Sequence, residues 1–194
     1  MKLFGLTGGV GMGKSTAAQL LSERGVALVD TDDLARAVVQ PGQPALEKVR
    51  ETFGNGIIGP DGQLRRDELA RVVFADLAAR TRLEAILHPR IRDLWRAQVE
   101  RWQSEGKPLA VVVIPLLYET TAEEGFDGVI CVACTPATQH QRLLARGWTR
   151  EEIEQRIAAQ MPVAQKMARA DYVIWTEGGM DVHAEQLDRI IPAT

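Results

Sequence analysis

The sequence predicts an α/β fold, a parallel sheet with flanking helices, and three observations predict it. Short apolar runs recur at residues 3–6, 26–29, 109–114, 128–133 and 172–175. Longer stretches of helical periodicity separate them, the pattern of crossover connections between parallel strands. The length of 194 residues, 45% apolar and 25% charged, suffices for one such core carrying smaller lobes.

The first run, 3–6, leads into Gly8-Gly9-Val10-Gly11-Met12-Gly13-Lys14-Ser15-Thr16, and a helix is expected from Lys14 to about Arg24, closed by Gly25 as its C-cap. The second run, 26–29, ends in Asp30-Thr31-Asp32-Asp33. From 34 to about 105 the pattern is nearly all helical, broken by Gly-rich turns over 54–62. His88-Pro89 is expected to interrupt a long helix there, because proline disfavours helix at the residue before it. Sheet character returns at 109–114 and 128–133, and again at 172–175 after a helical stretch, 137–168, punctuated by Gly147 and Pro162. The picture is a sheet core (1–33, 107–136 and 170–194) with two helical excursions, 34–106 and 137–169.

Composition excludes some classes. The net charge is −3 and the basic residues are scattered, unlike the one-sided basic footprint of a nucleic-acid binder. No apolar stretch at the N-terminus reaches the length of a signal-peptide core, and none anywhere approaches a membrane span, so a cytosolic protein without nucleic-acid or membrane partners is expected. Cys131 and Cys134 form a C-x-x-C inside a β-branched apolar run. That setting suits buried thiols acting as small hydrophobes better than a redox pair, and His88, His140 and His183 offer no zinc spacing.

The segment Gly8 to Ser15 satisfies G-x-x-x-x-G-K-[ST], the phosphate loop. Its glycines, Gly8, Gly9, Gly11 and Gly13, let the backbone curl until successive N–H groups face phosphate oxygens. Met12 contributes only its backbone N–H. The helix beginning at Lys14 and continuing through Thr16 adds the positive end of its dipole. Lys14 supplies a cation for the β and γ phosphates, and the Ser15 hydroxyl is placed for Mg²⁺. A strand before and a helix after supply the context that the motif requires, so ATP with Mg²⁺ is the expected cofactor pair.

Other features choose among P-loop proteins. A guanine-reading N-K-x-D is missing, the single asparagine being Asn55 before Gly56, and the run 109–114 ends in Pro115 rather than a Walker-B aspartate. A small-molecule kinase needs neither, but it needs a carboxylate to align and deprotonate its alcohol acceptor. Asp30 and Asp32 answer that need: at the carboxyl end of a strand, with side chains alternating, they point together while Thr31 points away. The other reading makes Asp32 or Asp33 an N-cap for a helix beginning near Leu34.

The chain resembles the dephospho-coenzyme A kinases in its opening, residues 5–16, and in the order of its later segments: Val29-Asp30-Thr31-Asp32 with Ala35-Arg36, His88-Pro89 with Ile91, and Ile114-Pro115-Leu116-Leu117-Tyr118-Glu119. Gln139 to Arg142, Arg146, Thr149-Arg150-Glu151-Glu152, Ala159-Gln160 and Ala170-Asp171-Tyr172-Val173-Ile174 extend the likeness over nearly the whole chain. The resemblance implies a P-loop NTPase core with a helical substrate-binding lobe at 34–106 and a lid at 137–169. It implies ATP-dependent phosphorylation of the ribose 3′-hydroxyl of dephospho-coenzyme A, with both small molecules as partners. Asp32 becomes the candidate base and Arg36 an acceptor-side residue. Arg142 and Arg146, four apart on one helical face, become lid arginines over the phosphates, a solvated charged face being their other reading. His88 is either an acceptor contact or a helix-kink residue, and Glu119 serves either the acceptor pocket or a structural hydrogen bond. Trp95 and Trp102, seven apart, read first as core packing. The family often has an asparagine after the last strand, near the adenine, where this chain has Trp175-Thr176-Glu177-Gly178-Gly179. Alternatives are a shikimate-type kinase, although its usual triple glycine is reduced here to a late Gly178-Gly179, and a nucleotide-binding regulator without catalysis.

Overall fold

The structure, a computed structural model, describes residues 1–191; positions 192–194, assigned to the core from sequence, lie outside the described residues. Five strands, β1 (Lys2–Gly8), β2 (Ala27–Asp30), β3 (Leu109–Val113), β4 (Gly128–Ala133) and β5 (Tyr172–Trp175), form one parallel sheet in the order β2-β3-β1-β4-β5. The helices are α1 (Lys14–Glu23), α2 (Thr31–Ala37), α3 (Pro44–Phe53), α4 (Arg66–Ala75), α5 (Leu77–Ser104), α6 (Pro136–Ala145), α7 (Arg150–Ala158), α8 (Val163–Arg169) and α9 (Met180–Ile190). The expected α/β class with a parallel sheet therefore holds.

Central strands read as unbroken apolar runs because both of their faces are covered. Every residue of β1 after Lys2 is buried, and so is every residue of β4. Leu6 sits level with Val113 on one side and Ile130 on the other. One core cluster joins Leu6 and Ile130 to Leu20 and Leu21 of α1, Ile174 of β5 and Leu187 of α9. Each such side chain contributes about 1.5–3 kcal/mol on burial. Cys131 belongs to this interior, and burial pushes its thiol up to about 11, the opposite of a reactive thiolate.

All five strands point the same way, so their carboxyl ends share one edge of the sheet. From β1 the chain goes first to the β2–β3 side and later to the β4–β5 side. The loop after β1 therefore lies at the switch in strand order, where open α/β sheets form their crevice.

The chain divides into two compact units, one made of Met1–Asp30 with the chain from Arg101 onward, the other of Thr31–Glu100. The second is helical and has its own core. Val38, Val39, Ala45 and Leu46 form one buried cluster, and Val49, Ile57, Leu69, Val73, Ala79 and Ile86 another.

Local expectations needed three corrections. The helix after the loop stops at Glu23, with Arg24 in the cap position and Gly25 one residue beyond at φ +75°, its N–H on Ser22 O. The second strand starts at Ala27 and reaches Asp30. Helix α5 does not break at His88-Pro89; it runs through Pro89 for 28 residues. Proline there removes the donor to the carbonyl four residues back. Buried Ile86 before it and Trp95 and Val99 after it hold one face in place, and Arg90 Nη1 donates to Ile86 O at 2.7 Å in the same turn.

Candidate active site

Gly8 ends β1 and Lys14 opens α1, so the phosphate loop is strung between a buried strand and a helix N-terminus. Its glycines serve close approach as well as curvature. A Cβ on Gly11 (φ +74°) would stand 2.8 Å from Leu143 Cγ of α6. One on Gly13 (φ +98°) would stand 3.2 Å from the Thr176 methyl. Met12 turns its side chain inward among Ala133, Cys134, Val163 and Met167, so only its backbone faces the loop's concavity.

Lys14 folds over the loop, its Nζ donating to Gly8 O at 2.8 Å and Gly9 O at 2.9 Å. Gly13 in the N-cap position brings no capping side chain, and the first turn, Lys14-Ser15-Thr16, carries no carboxylate. Its N–H groups are thus left for an anion at the positive end of the helix dipole. The tip residue, Val10, is held from both sides: Gln139 Nε2 donates to its carbonyl at 2.8 Å, and its N–H donates to Gln160 Oε1 at 3.0 Å.

Beside the loop a groove of about 310 Å³ opens between Gly11, Gly13 and Thr16, the α6 arginines Arg142 and Arg146, and Thr176. Helix α6 starts at the Thr135 N-cap, whose hydroxyl accepts from Thr138 N and donates to Glu177. Thr135 N also donates to Glu177 Oε1 at 2.8 Å, and Trp175 Nε1 reaches Oε2 at 3.2 Å. These bonds, the Thr135 hydroxyl first, then that of Thr138 and the Thr135 N–H, pull the Glu177 carboxyl down to about 2. Arg142 is committed to the same segment, with Nη1 2.9 Å from Thr176 Oγ1 and Nη2 2.6 Å from Thr176 O. Thr176 in turn donates to Met12 O at 2.9 Å. Arg146 occupies the C-cap of α6 and is exposed.

The structure thus brings the loop residues Gly11, Gly13 and Thr16 together with Arg142 and Arg146. Glu119 lies elsewhere in the same unit: its Oε1 accepts from Lys166 Nζ and from Met161 N, each at 2.8 Å. Lys166 is 0% exposed and also donates to Pro115 O at 2.6 Å. The remaining candidates belong to the helical unit. There the strand-alternation argument for Asp32 is corrected, because β2 ends at Asp30 and α2 begins at Thr31. Asp32 and Asp33 are first-turn helical residues rather than a cap for a later helix, a position that the helix dipole favours. Arg36 pairs with exposed Asp33 at 2.7 Å. His88 is half-buried on α5, and burial, more than the charges of Arg92 and Arg80, lowers its pKa against the pull of Glu84.

Sequence reasoning gives no role to the residues that fix this geometry: Gln139, Gln160, Thr176 and Glu177 enter it only as parts of segments, and Lys166 is missed. The signal for Gln139, 5% exposed, and Lys166, 0% exposed, is a polar side chain where periodicity calls for burial.

The residues present fit a magnesium triphosphate. A glycine cradle that ends on an uncapped helix start suits phosphate oxygens, and Lys14 is within reach of whatever the cradle holds. The exposed Ser15 hydroxyl is a hard oxygen donor, in keeping with an ion that takes few protein ligands beside phosphate oxygens and water. An anion cradle opening into a groove at the switch point of a parallel sheet is the arrangement of P-loop kinases, and that is the class this fold defines. A family model for dephospho-CoA kinase matches residues 2–181. The dephospho-CoA kinase of Anaeromyxobacter dehalogenans (strain 2CP-C) is 46% identical over 192 residues, 98% of this chain and 91% of that protein. Among solved structures, TT1252 from Thermus thermophilus is 34% identical with a TM-score of 0.84, covering 98% of this chain and 95% of that one. The dephospho-CoA kinase from Campylobacter jejuni is 25% identical with a TM-score of 0.71, covering 98% and 96%. The chain belongs to the dephospho-CoA kinase family.

Proposed function

We propose that the protein transfers the γ-phosphoryl group of ATP to the ribose 3′-hydroxyl of dephospho-CoA, giving coenzyme A in the cytoplasm. The observation that carries this reading is the uncapped N-terminus of α1 with Lys14 folded over its glycine loop, beside a groove walled by two arginines. Among the described residues no helix is long and apolar enough to cross a membrane.

Lys14 exchanges the carbonyls of Gly8 and Gly9 for phosphate oxygens, and the N–H groups of the loop and first turn take the rest. Ser15 would hold magnesium, which would supply neutralisation of the charge on the transferred group. Arg146 adds positive charge from the end of α6. Arg142 does so while keeping Thr176 against the loop. Asp32 aligns the 3′-hydroxyl and takes its proton, and Arg36 and His88 bind the acceptor. We give Glu119 a positioning role, since Met161, which it holds, adjoins the Gln160 that pins Val10. The segment 137–169 serves as the lid. Gln139, Leu143, Ile153 and Lys166 are its buried anchors, and Arg156 of α7 stacks 4.1 Å over Trp148. Lid closure excludes water that would otherwise hydrolyse ATP.

A coupled assay of ADP release with dephospho-CoA, with shikimate and with no acceptor tests the reading. Release is expected with dephospho-CoA alone; equal release in all three arms would sink it. Asp32→Asn is expected to lose about 10²–10⁴-fold in turnover while keeping ATP binding. Lys14→Ala is expected to weaken ATP binding as well as slow transfer, and an unchanged ATP titration would overturn the loop assignment.

A further inference from the structure

The wall of the groove formed by the segment after β5 contains one polar side chain that nothing in the fold uses. His183, in the second turn of α9, lines the groove along with Thr176 and Met180. It is 5% exposed, and its Nε2 is buried with no hydrogen-bond partner among the described residues. Two polar neighbours in the groove are committed: Thr176 to Met12 O, and Arg142 to Thr176 Oγ1 and O. Buried polar atoms are rarely left so, and those that are mark a site where a partner is expected.

The chemistry of the missing partner can be read from the surroundings. Burial first, and the Arg142 charge second, hold the imidazole below its ordinary pKa, which favours its neutral form. A neutral imidazole carries one N–H donor and one bare nitrogen acceptor. A ring of that kind offers no charge to a phosphate, and a guanidinium nearby disfavours a cation. What it matches is a flat, neutral heterocycle whose edge carries both donors and acceptors. The phosphates of a nucleotide belong to the loop, and Gly11, Gly13 and Thr16 join the groove directly to it.

We infer that His183 binds the purine base of the triphosphate through a ring nitrogen, making it a nucleobase-reading residue of this chain. The inference rests on the nucleotide site proposed above. Calorimetric titration of the full chain with ATP and with inorganic tripolyphosphate, both with Mg²⁺, separates base from phosphate. His183→Phe keeps a flat buried ring but no nitrogen; its Kd and KM for ATP are expected to rise about tenfold, with tripolyphosphate binding unchanged. His183→Gln, which keeps a donor and an acceptor, is expected to stay within about threefold of the parent for ATP, and it decides the matter if the phenylalanine variant does not fold. ATP binding at parental strength in a folded His183→Phe protein would overturn the inference. Equal losses for ATP and tripolyphosphate would do the same by showing a purely structural effect on the loop. Failure of the parent protein to bind either ligand would instead sink the nucleotide site itself.

Discussion

At the scale of single residues, the site is held by polar side chains whose partners are distant in sequence. Glu177 is the clearest case, tying the segment after β5 to the N-terminus of α6 through Thr135. Its carboxyl titrates near 2 in the folded chain against an ordinary 4.5, which fixes the sign of its effect. A depressed carboxylate contributes stability that is fully present above the unfolded value and fades as pH falls through the folded one. Glu177→Gln is therefore expected to lower the melting temperature at pH 7 and to approach the parent as pH falls from about 4.5 towards 2. Melting curves of both proteins across that range check it; a gap that stayed constant down to pH 2 would mean that the carboxylate charge is not what holds Thr135.

At the scale of elements, α8 is tied to the segment that follows β3 by the ion pair of buried Lys166 with Glu119. Lys166 reaches Glu119 and Pro115 O from an interior position. Lys166→Met is expected to cost about 3–5 kcal/mol, because it strands a partly buried carboxylate. Adding Glu119→Gln should recover part of that loss, and urea denaturation of the parent, both single variants and the double measures the difference. If the double variant were as unstable as the sum of the singles, the two side chains would not be coupled. These contacts also explain what could be read from sequence. The strands and the loop were legible because their signals are local: an apolar run, a glycine pattern, a helix start. The pairing of Glu119 with Lys166, or of Val10 with Gln160, 150 positions apart, leaves no local trace. Asp32 was placed at the right end of the right strand but in the wrong element, since a strand and a first helical turn look alike over Asp30-Thr31-Asp32-Asp33. Pro89 misled for the opposite reason: a local rule against helix was outweighed by the buried face on either side of it.

At the scale of the whole molecule, the parallel sheet gathers five strand ends at one edge, and the ligand site lies where the strand order reverses. A site built this way is incomplete without its ligand: Lys14 is bonded to the loop's own carbonyls, and the first turn of α1 has no side-chain cap. A triphosphate that binds only the folded chain must then stabilise it by mass action. At a free concentration of magnesium ATP one hundred times Kd, the unfolding free energy is expected to rise by about 2.7 kcal/mol. Tripolyphosphate at the same multiple of its own Kd is expected to give the same rise, since the relation depends on occupancy alone. Lys14→Ala, held at the concentrations used for the parent, should lose most of both effects. Thermal melts with and without each ligand provide the measurement. A parent protein whose melting temperature ignored both ligands would leave the uncapped helix start without the anion that its geometry calls for.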